Sequence, residues 1–236
     1  MIHWIYPCRV RSRTEKVGLF DAFASIGKAL SAGRRVELVD VLAQGSRSVE
    51  QLANEIGQSV ANTSAHLQVL AAAGLVTSQR NGNRIIYSLA GPSVEALWEA
   101  LRATAADHLA VVDRLAHAYL GDRSELEVVT RAELVERLRR GDAPVVLDVR
   151  PTPEYEAGHI PGAVSVPPDE LADRLRRVSR GQHVVAYCRG PFCVYADDAV
   201  RQLRARKIRA RRLEDGFPEW RRADLPVAVG GEPGRF

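Results

Sequence analysis

A chain of 236 residues has room for two domains, and 46% apolar residues suit a soluble globular protein. No apolar run nears the roughly 20 residues that span a bilayer. Residues 1–13 lack a signal-peptide core, being interrupted by Pro7 and Arg9, so the reading is a cytoplasmic protein with no membrane partner.

The net charge of +4 rests on arginine, since lysine occurs only at 16, 28 and 207. It permits phosphate contacts without establishing them. Three cysteines make no disulfide framework in a cytoplasmic chain and suggest reactivity, metal binding or neither. Residues 1–15, which include Cys8, lack periodicity and read as a flexible tail. From Lys16 the pattern turns helical, with Leu19, Phe20, Phe23, Ile26 and Leu30 at helix spacing. Gly33 punctuates, and Val36, Leu38, Val39 and Leu42 mark a second helix. Ser48 with Gln51 forms a capping-box signal for a short third helix that Gly57 stops. Residues 59–73 give a fourth, with Leu67 and Leu70 facing inward and Asn62, Ser64, His66 and Gln68 on the other face.

A short helix, a glycine turn and a second helix with a small polar face make a helix-turn-helix signature. Short amide and hydroxyl side chains on the second helix can reach base edges in the major groove. Residues 74–77 and 84–89 then read as strands joined by the turn Arg80-Asn81-Gly82-Asn83. Arg80 and Arg84 flank the tip and suit phosphates or the minor groove. The expected DNA contacts are Ser59, Asn62, Ser64, His66, Gln68, Arg80, Asn83 and Arg84.

This half resembles the ArsR family of winged-helix repressors, chiefly in the run Ser64-Ala65-His66-Leu67-Gln68-Val69-Leu70-Ala71-Ala72-Ala73-Gly74-Leu75-Val76 and in the Arg-Asn-Gly-Asn-Arg wing. The resemblance implies a homodimer joined by the first helix and by a long helix over residues 93–120. It also implies a roughly palindromic double-stranded operator. Many members carry a basic residue where this chain has Ala65, and the metal-binding cysteines of the third helix are absent from residues 48–56. Asp107, His108, Asp113 and His117 lie on the long helix, but adjacent helical residues do not face one another. No metal ligand and no cofactor are assigned.

Gly121-Asp122-Arg123-Ser124 reads as a polar linker, over residues 121–126. Short strands then alternate with helices: Val128-Val129, a helix over 131–140, Val145-Val146-Leu147-Asp148, and Val184-Val185-Ala186. Such alternation suggests an α/β domain with a largely parallel sheet, whose reactive groups gather at strand C-terminal ends. Asp148 and Cys188 each follow such a run. In Tyr187-Cys188-Arg189-Gly190-Pro191-Phe192-Cys193-Val194-Tyr195 a thiol lies between a strand end and a helix N-terminus, where amides and the helix dipole favour a thiolate.

Residues 127–229 resemble the rhodanese family. Asp148-Val149-Arg150, Glu154-Tyr155 and Gly158-His159-Ile160-Pro161-Gly162-Ala163 match its first signature, and Gly216-Phe217-Pro218-Glu219-Trp220 with Leu225-Pro226-Val227 its closing one. The resemblance implies that Cys188 takes sulfane sulfur from a donor, holds it as a persulfide and passes it to an acceptor thiol or cyanide. Cys188, Cys193, Arg189 and Asp148 are the candidate catalytic residues. A basic residue often stands where this chain has Cys193, leaving only Arg189 in the loop. Pro191 removes an N–H from the anion cradle, and Asp197 and Asp198 compete with an anion for the helix dipole. Thiosulfate turnover should suffer, while Cys193 offers a second thiol to resolve a persulfide on Cys188.

The expected architecture is two domains: a mainly α winged helix-turn-helix over residues 16–120, then an α/β rhodanese-like domain over 127–231. The expected function is a DNA-binding regulator that senses or carries sulfane sulfur. The alternatives are a sulfurtransferase whose helical half serves dimerisation, and a metal-responsive repressor.

Overall fold

The computed structural model describes residues 12–230, so Cys8 and most of the expected tail lie outside the described residues. The chain divides into two units. One holds the residues up to Asp40 together with Arg47–Val94, and the other Val41–Ser46 with everything from Glu95 onward.

The first unit is mainly helical. Helix α1 spans Arg13–Leu30, so residues 13–15, expected in the tail, are helical. It leaves large apolar side chains uncovered, with Leu19, Phe20 and Phe23 all exposed, and buries Ala29. Helix α2 spans Gly33–Ala43 and buries Leu38 and Val39. Strand β1, Arg47–Ser48, leads into α3, Val49–Glu55. The capping box forms as its residue types require: the Ser48 hydroxyl accepts from the Gln51 N–H at 3.3 Å, and the Gln51 side chain accepts from the Ser48 N–H at 2.9 Å. Gly57 then takes a left-handed φ of 60°, which a side chain would resist. The chain turns there into α4, Val60–Ala72, which buries Thr63, Leu67 and Leu70.

Strands β2, Val76–Asn81, and β3, Arg84–Leu89, form the expected hairpin, and β1 pairs with the far edge of β3. All pairings in this small sheet are antiparallel. Register pairs Asn81 with Arg84, which leaves Gly82-Asn83 at the tip with Gly82 at φ 61°. Strand β1 was not legible beforehand, since two residues carry no alternation.

The expected long helix is two helices: α5, Pro92–His108, and α6, Ala110–Leu120. The break falls at Leu109, whose φ of −113° and ψ of 94° are extended. No proline or glycine marks it. Three ion pairs join α5 to α11, Phe217–Arg222, and account for the grouping of α5 with the second unit: Glu95 with Arg221 at 2.8 Å, Glu99 with Arg222, and Arg102 with Glu219.

The second unit is built on a five-stranded sheet, parallel throughout. Its strands are β4 Val128–Val129, β5 Val145–Asp148, β6 Val164–Ser165, β7 His183–Tyr187 and β8 Arg209–Leu213. They lie in the order β4-β8-β7-β5-β6. Both faces are covered, and β5 and most of β7 read as apolar runs, whereas β8 carries Arg209, Arg211 and Arg212. Leu147, Val184, Ala186 and Ala210 pack with α9, Leu171–Leu175, and α10, Tyr195–Ala205. Val146, Val185, Tyr187 and Leu213 pack with Leu134 of α7, Arg131–Arg140, and with Phe217 and Trp220 of α11. A short helix α8, Thr152–Ala157, follows β5. Asp148 pairs in register with Tyr187, which places Asp148 and Cys188 at the same C-terminal edge.

Candidate functional site

The cysteine loop begins where β7 ends. Cys188 is 3% exposed and packs in the core cluster beside Ala196 and Ala199 of α10. The loop turns at Pro191-Phe192, closed by the Cys193 N–H donating to the Gly190 carbonyl at 3.2 Å. It rests on the closing signature. The Phe217 N–H donates to the Cys188 carbonyl at 3.1 Å, and a Cβ on Gly216 would lie 2.4 Å from the Arg189 and Gly190 backbone. Only glycine fits there. A similar approach explains Gly158, where a Cβ would meet the Phe217 ring at 2.9 Å.

The two thiols influence one another's ionisation. Burial pushes the Cys188 thiol well up, reinforced by Cys193; the N–H groups of Gly190 and Ala196 oppose it. The Cys188 thiol also faces the Gly190 carbonyl at 3.8 Å. The Cys193 thiol is pulled below its ordinary value, first by its hydrogen bond with Cys188, with burial opposing; the N–H groups of Tyr195 and Arg189 and the Arg189 charge add to the lowering. Helix α10, which starts at Tyr195, has no side-chain cap at its N-terminus.

The charged residues around the loop are mostly committed. Arg189 grips the buried Glu154 carboxylate, with Nε at 2.9 and 3.2 Å and Nη2 at 2.5 Å. Its guanidinium is therefore part-neutralised. The Asp148 carboxylate, fully buried, accepts from Arg150 Nε at 3.0 Å, Arg150 Nη2 at 2.6 Å and the Tyr187 hydroxyl at 2.5 Å. Burial works against the Arg150 charge, but Asp148 more than offsets it. Burial likewise leads the rise of the Tyr187 phenol. Asp148 thus braces the strand edge, and its hydrogen bonds go to Arg150 and Tyr187.

Arg123, expected in a mere linker, is the residue that sequence reasoning missed. It donates to Asp197 at 2.5 Å, to the Pro191 carbonyl at 2.6 Å and to the Cys193 carbonyl at 3.0 Å. Asp197 is fully buried and also lies 3.8 Å from Arg212, beyond hydrogen-bond length. Far from competing freely for the helix dipole, Asp197 is engaged by Arg123. Burial lowers the Arg212 pKa, and the nearby Arg123 charge adds to this. No periodicity or motif announces a lone arginine in a polar run.

The helix-turn-helix residues lie on α4 and the hairpin. The Ser59 hydroxyl is the α4 N-cap, accepting from the Asn62 N–H at 3.2 Å. Asn62 and Gln68 are exposed, while Ser64 and His66 are half-buried. Arg80, Asn83 and Arg84 are exposed at the hairpin, with Arg80 Nε donating to the Gly82 carbonyl at 3.1 Å. Among the described residues, no group of three or more His, Cys, Asp or Glu side chains could hold a metal, and no helix is long and apolar enough to cross a membrane.

Two families match. Residues 33–78 match the bacterial regulatory proteins of the arsR family, and residues 130–223 the rhodanese-like domain. The HTH-type transcriptional regulator Rv0324 of Mycobacterium tuberculosis is 46% identical over 219 residues, covering 93% of this chain and 96% of that protein. The chain belongs to the ArsR family of transcriptional regulators and carries a C-terminal rhodanese-like domain. A solution structure of the homodimeric winged helix-turn-helix DNA-binding domain of Mb0332 from Mycobacterium bovis is 41% identical, covers 42% of this chain and 91% of that one, and has a TM-score of 0.40. The HTH-type regulator Rv0081 of M. tuberculosis is 34% identical over 106 residues, 43% of this chain and 93% of that protein. In this ArsR-family chain the regulator's helix-turn-helix lies wholly in the first unit, and the rhodanese-like loop wholly in the second.

Proposed function

We propose that this regulator binds double-stranded operator DNA as a homodimer, and that its rhodanese-like domain carries sulfane sulfur as a persulfide in the Cys188–Cys193 loop. The observation that carries the reading is the thiol pair itself. Two cysteines that influence one another's ionisation sit where β7 runs into the N-terminus of α10, which has no side-chain cap. That arrangement favours one anionic sulfur and gives it a partner thiol. The anion cradle is otherwise poor in free cations, because Arg189 is paired with Glu154 and Arg123 with Asp197. Sulfur sensing fits such a site better than rapid turnover of an anionic donor.

Support for the DNA half comes from α4 and the hairpin. Exposed Asn62 and Gln68 offer amides for base edges, with Ser64 and His66 beside them; exposed Arg80, Asn83 and Arg84 offer contacts for backbone phosphates. Support for the homodimer comes from helices that leave apolar faces bare. Phe20 and Phe23 of α1 are 59% and 62% exposed, and Leu115 and Tyr119 of α6 are 60% and 68% exposed. Faces of this kind are covered in a stable protein more often than left in water.

The test is selection of a binding duplex from a randomised DNA pool, followed by titration of the reduced and polysulfide-treated protein. A selected sequence should bind, and treatment should change its affinity by roughly tenfold or more, in line with ordinary allosteric couplings. Cys188→Ser/Cys193→Ser should bind without responding. Failure to select any sequence, or equal affinity in both states, overturns the proposal.

A further inference from the structure

We propose that a cation-lined cavity at the N-terminal edge of the five-stranded sheet binds a small polyphosphate-bearing ligand. The site is independent of the cysteine loop and of the sulfur reading, because it lies at the opposite edge of the sheet. His183 and Arg209, the first residues of β7 and β8, pair in register at that edge, whereas Cys188 follows the last residue of β7.

The cavity holds about 480 Å³, a size that suits small-molecule ligands. Basic residues from separate elements line it. Arg137 comes from the last turn of α7, Arg204 from the last turn of α10, Lys207 from the turn that follows α10, and Arg209 and Arg211 from β8; His183 starts β7. Glu127 is the one acidic residue in the lining among the described residues. Pro144 and Ile208 add apolar wall. A DNA duplex is convex and fits a flat or grooved surface, whereas a compact polyanion fits a concavity ringed by cations.

Lys207 and Arg209 are exposed and make no ion pair among the described residues. Arg137 lies 3.6 Å from exposed Asp142, beyond hydrogen-bond length, and Arg211 lies 3.0 Å from Glu133. Solvated pairs of this kind contribute little, so an incoming anion displaces them easily. Arg204 is committed instead to the wall: it donates to the Ala210 carbonyl at 2.9 Å and to the Glu125 carbonyl, and pairs with Glu127 at 3.0 Å. Lys207 carries a further signal. Its φ of 63° is left-handed, and its N–H donates to the Arg204 carbonyl at 2.8 Å, in a position where glycine usually closes a helix. A lysine there holds backbone strain, and strain of this kind clusters at ligand sites. In this arginine-rich chain lysine occurs elsewhere only at 16 and 28.

The mixture of cations selects the ligand class. An arginine fork binds two phosphate oxygens at once, and a lysine ammonium meets the remaining charge as a compact donor. A single phosphate group carries at most about two negative charges near neutral pH. That is fewer than the charges of the four arginines and one lysine in the lining. Linked phosphates therefore match the cavity better than a lone phosphate or sulfate does.

The experiment is isothermal titration calorimetry of the full chain with inorganic tripolyphosphate, and with sulfate alongside. Tripolyphosphate should saturate a single site per chain and bind at least about tenfold more tightly than sulfate. Lys207→Gln/Arg209→Gln should weaken it by about tenfold or more, as the loss of charge-assisted hydrogen bonds does. Arg139→Gln/Arg177→Gln removes two exposed arginines outside the lining and should leave binding unchanged. A footprint on the wild type needs no variant. Tripolyphosphate at about ten times its Kd should slow acetylation of Lys207 by acetic anhydride about tenfold, read by peptide mass spectrometry, and leave Lys16 and Lys28 unchanged. No saturable binding, an equal loss in Arg139→Gln/Arg177→Gln, or unchanged acetylation of Lys207 overturns the site. A loss of DNA affinity in Lys207→Gln/Arg209→Gln, read by fluorescence anisotropy, assigns these cations to the nucleic-acid backbone and overturns the small-ligand reading.

Discussion

Replacing Asp148 with Asn separates a bracing role from a chemical one. The Asp148–Arg150 pair has no exposed side-chain surface on either partner, and the Asp148 carboxylate also accepts the Tyr187 hydroxyl at 2.5 Å. Asparagine keeps the shape and removes the charge, so Arg150 becomes a buried cation without its counter-ion. Breaking one side of a buried pair typically costs about 3–5 kcal/mol. With a urea m-value of about 2 kcal/mol/M, a loss of about 4 kcal/mol lowers the unfolding midpoint by about 2 M. Urea titration followed by circular dichroism and by fluorescence of buried Trp220 reads this directly. Asp148→Leu/Arg150→Met, which removes both charges, should recover a large part of the loss. Persulfide loading of the folded protein should be unchanged in Asp148→Asn. A loss below about 1 kcal/mol combined with abolished loading would refute the bracing role and return Asp148 to the chemistry.

Other predictions rest on separate features. Arg80→Ala and Arg84→Ala should each weaken binding to all duplexes alike and reduce the slope of log affinity against log salt by about one, measured by fluorescence anisotropy. Gly216→Ala forces a Cβ to within 2.4 Å of the Arg189 and Gly190 backbone, so it should cost about 1–3 kcal/mol by thermal or urea unfolding and slow sulfur loading. The rate of Cys193 alkylation should rise with pH through a midpoint below the ordinary thiol value, because the lowered pKa populates the thiolate earlier; Cys188 should show its midpoint above that value. Arg123→Ala strips buried Asp197 of its counter-ion, so it should lower the urea midpoint, and the protein that remains folded should show a DNA affinity that no longer responds to polysulfide, checked by urea titration and anisotropy together.

How much of this was legible beforehand depends on whether the determinant was local. The Ser48–Gln51 capping box, the Gly57 turn and the hairpin tip at Gly82 are set by a few adjacent residues, and each appears where the sequence places it. The parallel sheet was legible because burial on both faces leaves unbroken runs such as Val145-Val146-Leu147 and Val184-Val185-Ala186. Long-range charge pairing was not. Glu154 was visible as part of a signature, but nothing local says that it neutralises Arg189, 35 residues away. Arg123 reaches Asp197 across 74 residues, and its neighbours form a polar stretch indistinguishable from a linker. The break at Leu109 also had no local marker.

The loop's sulfur chemistry and the end of α6 are mechanically joined through these arginines. Arg123 follows the last residue of α6 by three positions and holds the carbonyls of both Pro191 and Cys193. Arg201 of α10 donates to the Asp122 carbonyl at 2.9 Å and to that of Leu120 at 3.5 Å, pinning the same segment from the other side. The segment after α6 is therefore a strut between the α10 surface and the cysteine turn, not a free tether. Any displacement of the turn at Pro191-Phe192 would carry the Pro191 and Cys193 carbonyls that Arg123 holds. Arg123 must then follow the carbonyl or release it, and its bond to fully buried Asp197 resists release. The contacts of Arg123 thus tie the loop to the C-terminus of a helix whose Leu115 and Tyr119 are exposed. On the proposed function, that contact set would be a route from the loop to α6, and Arg123 lies on it.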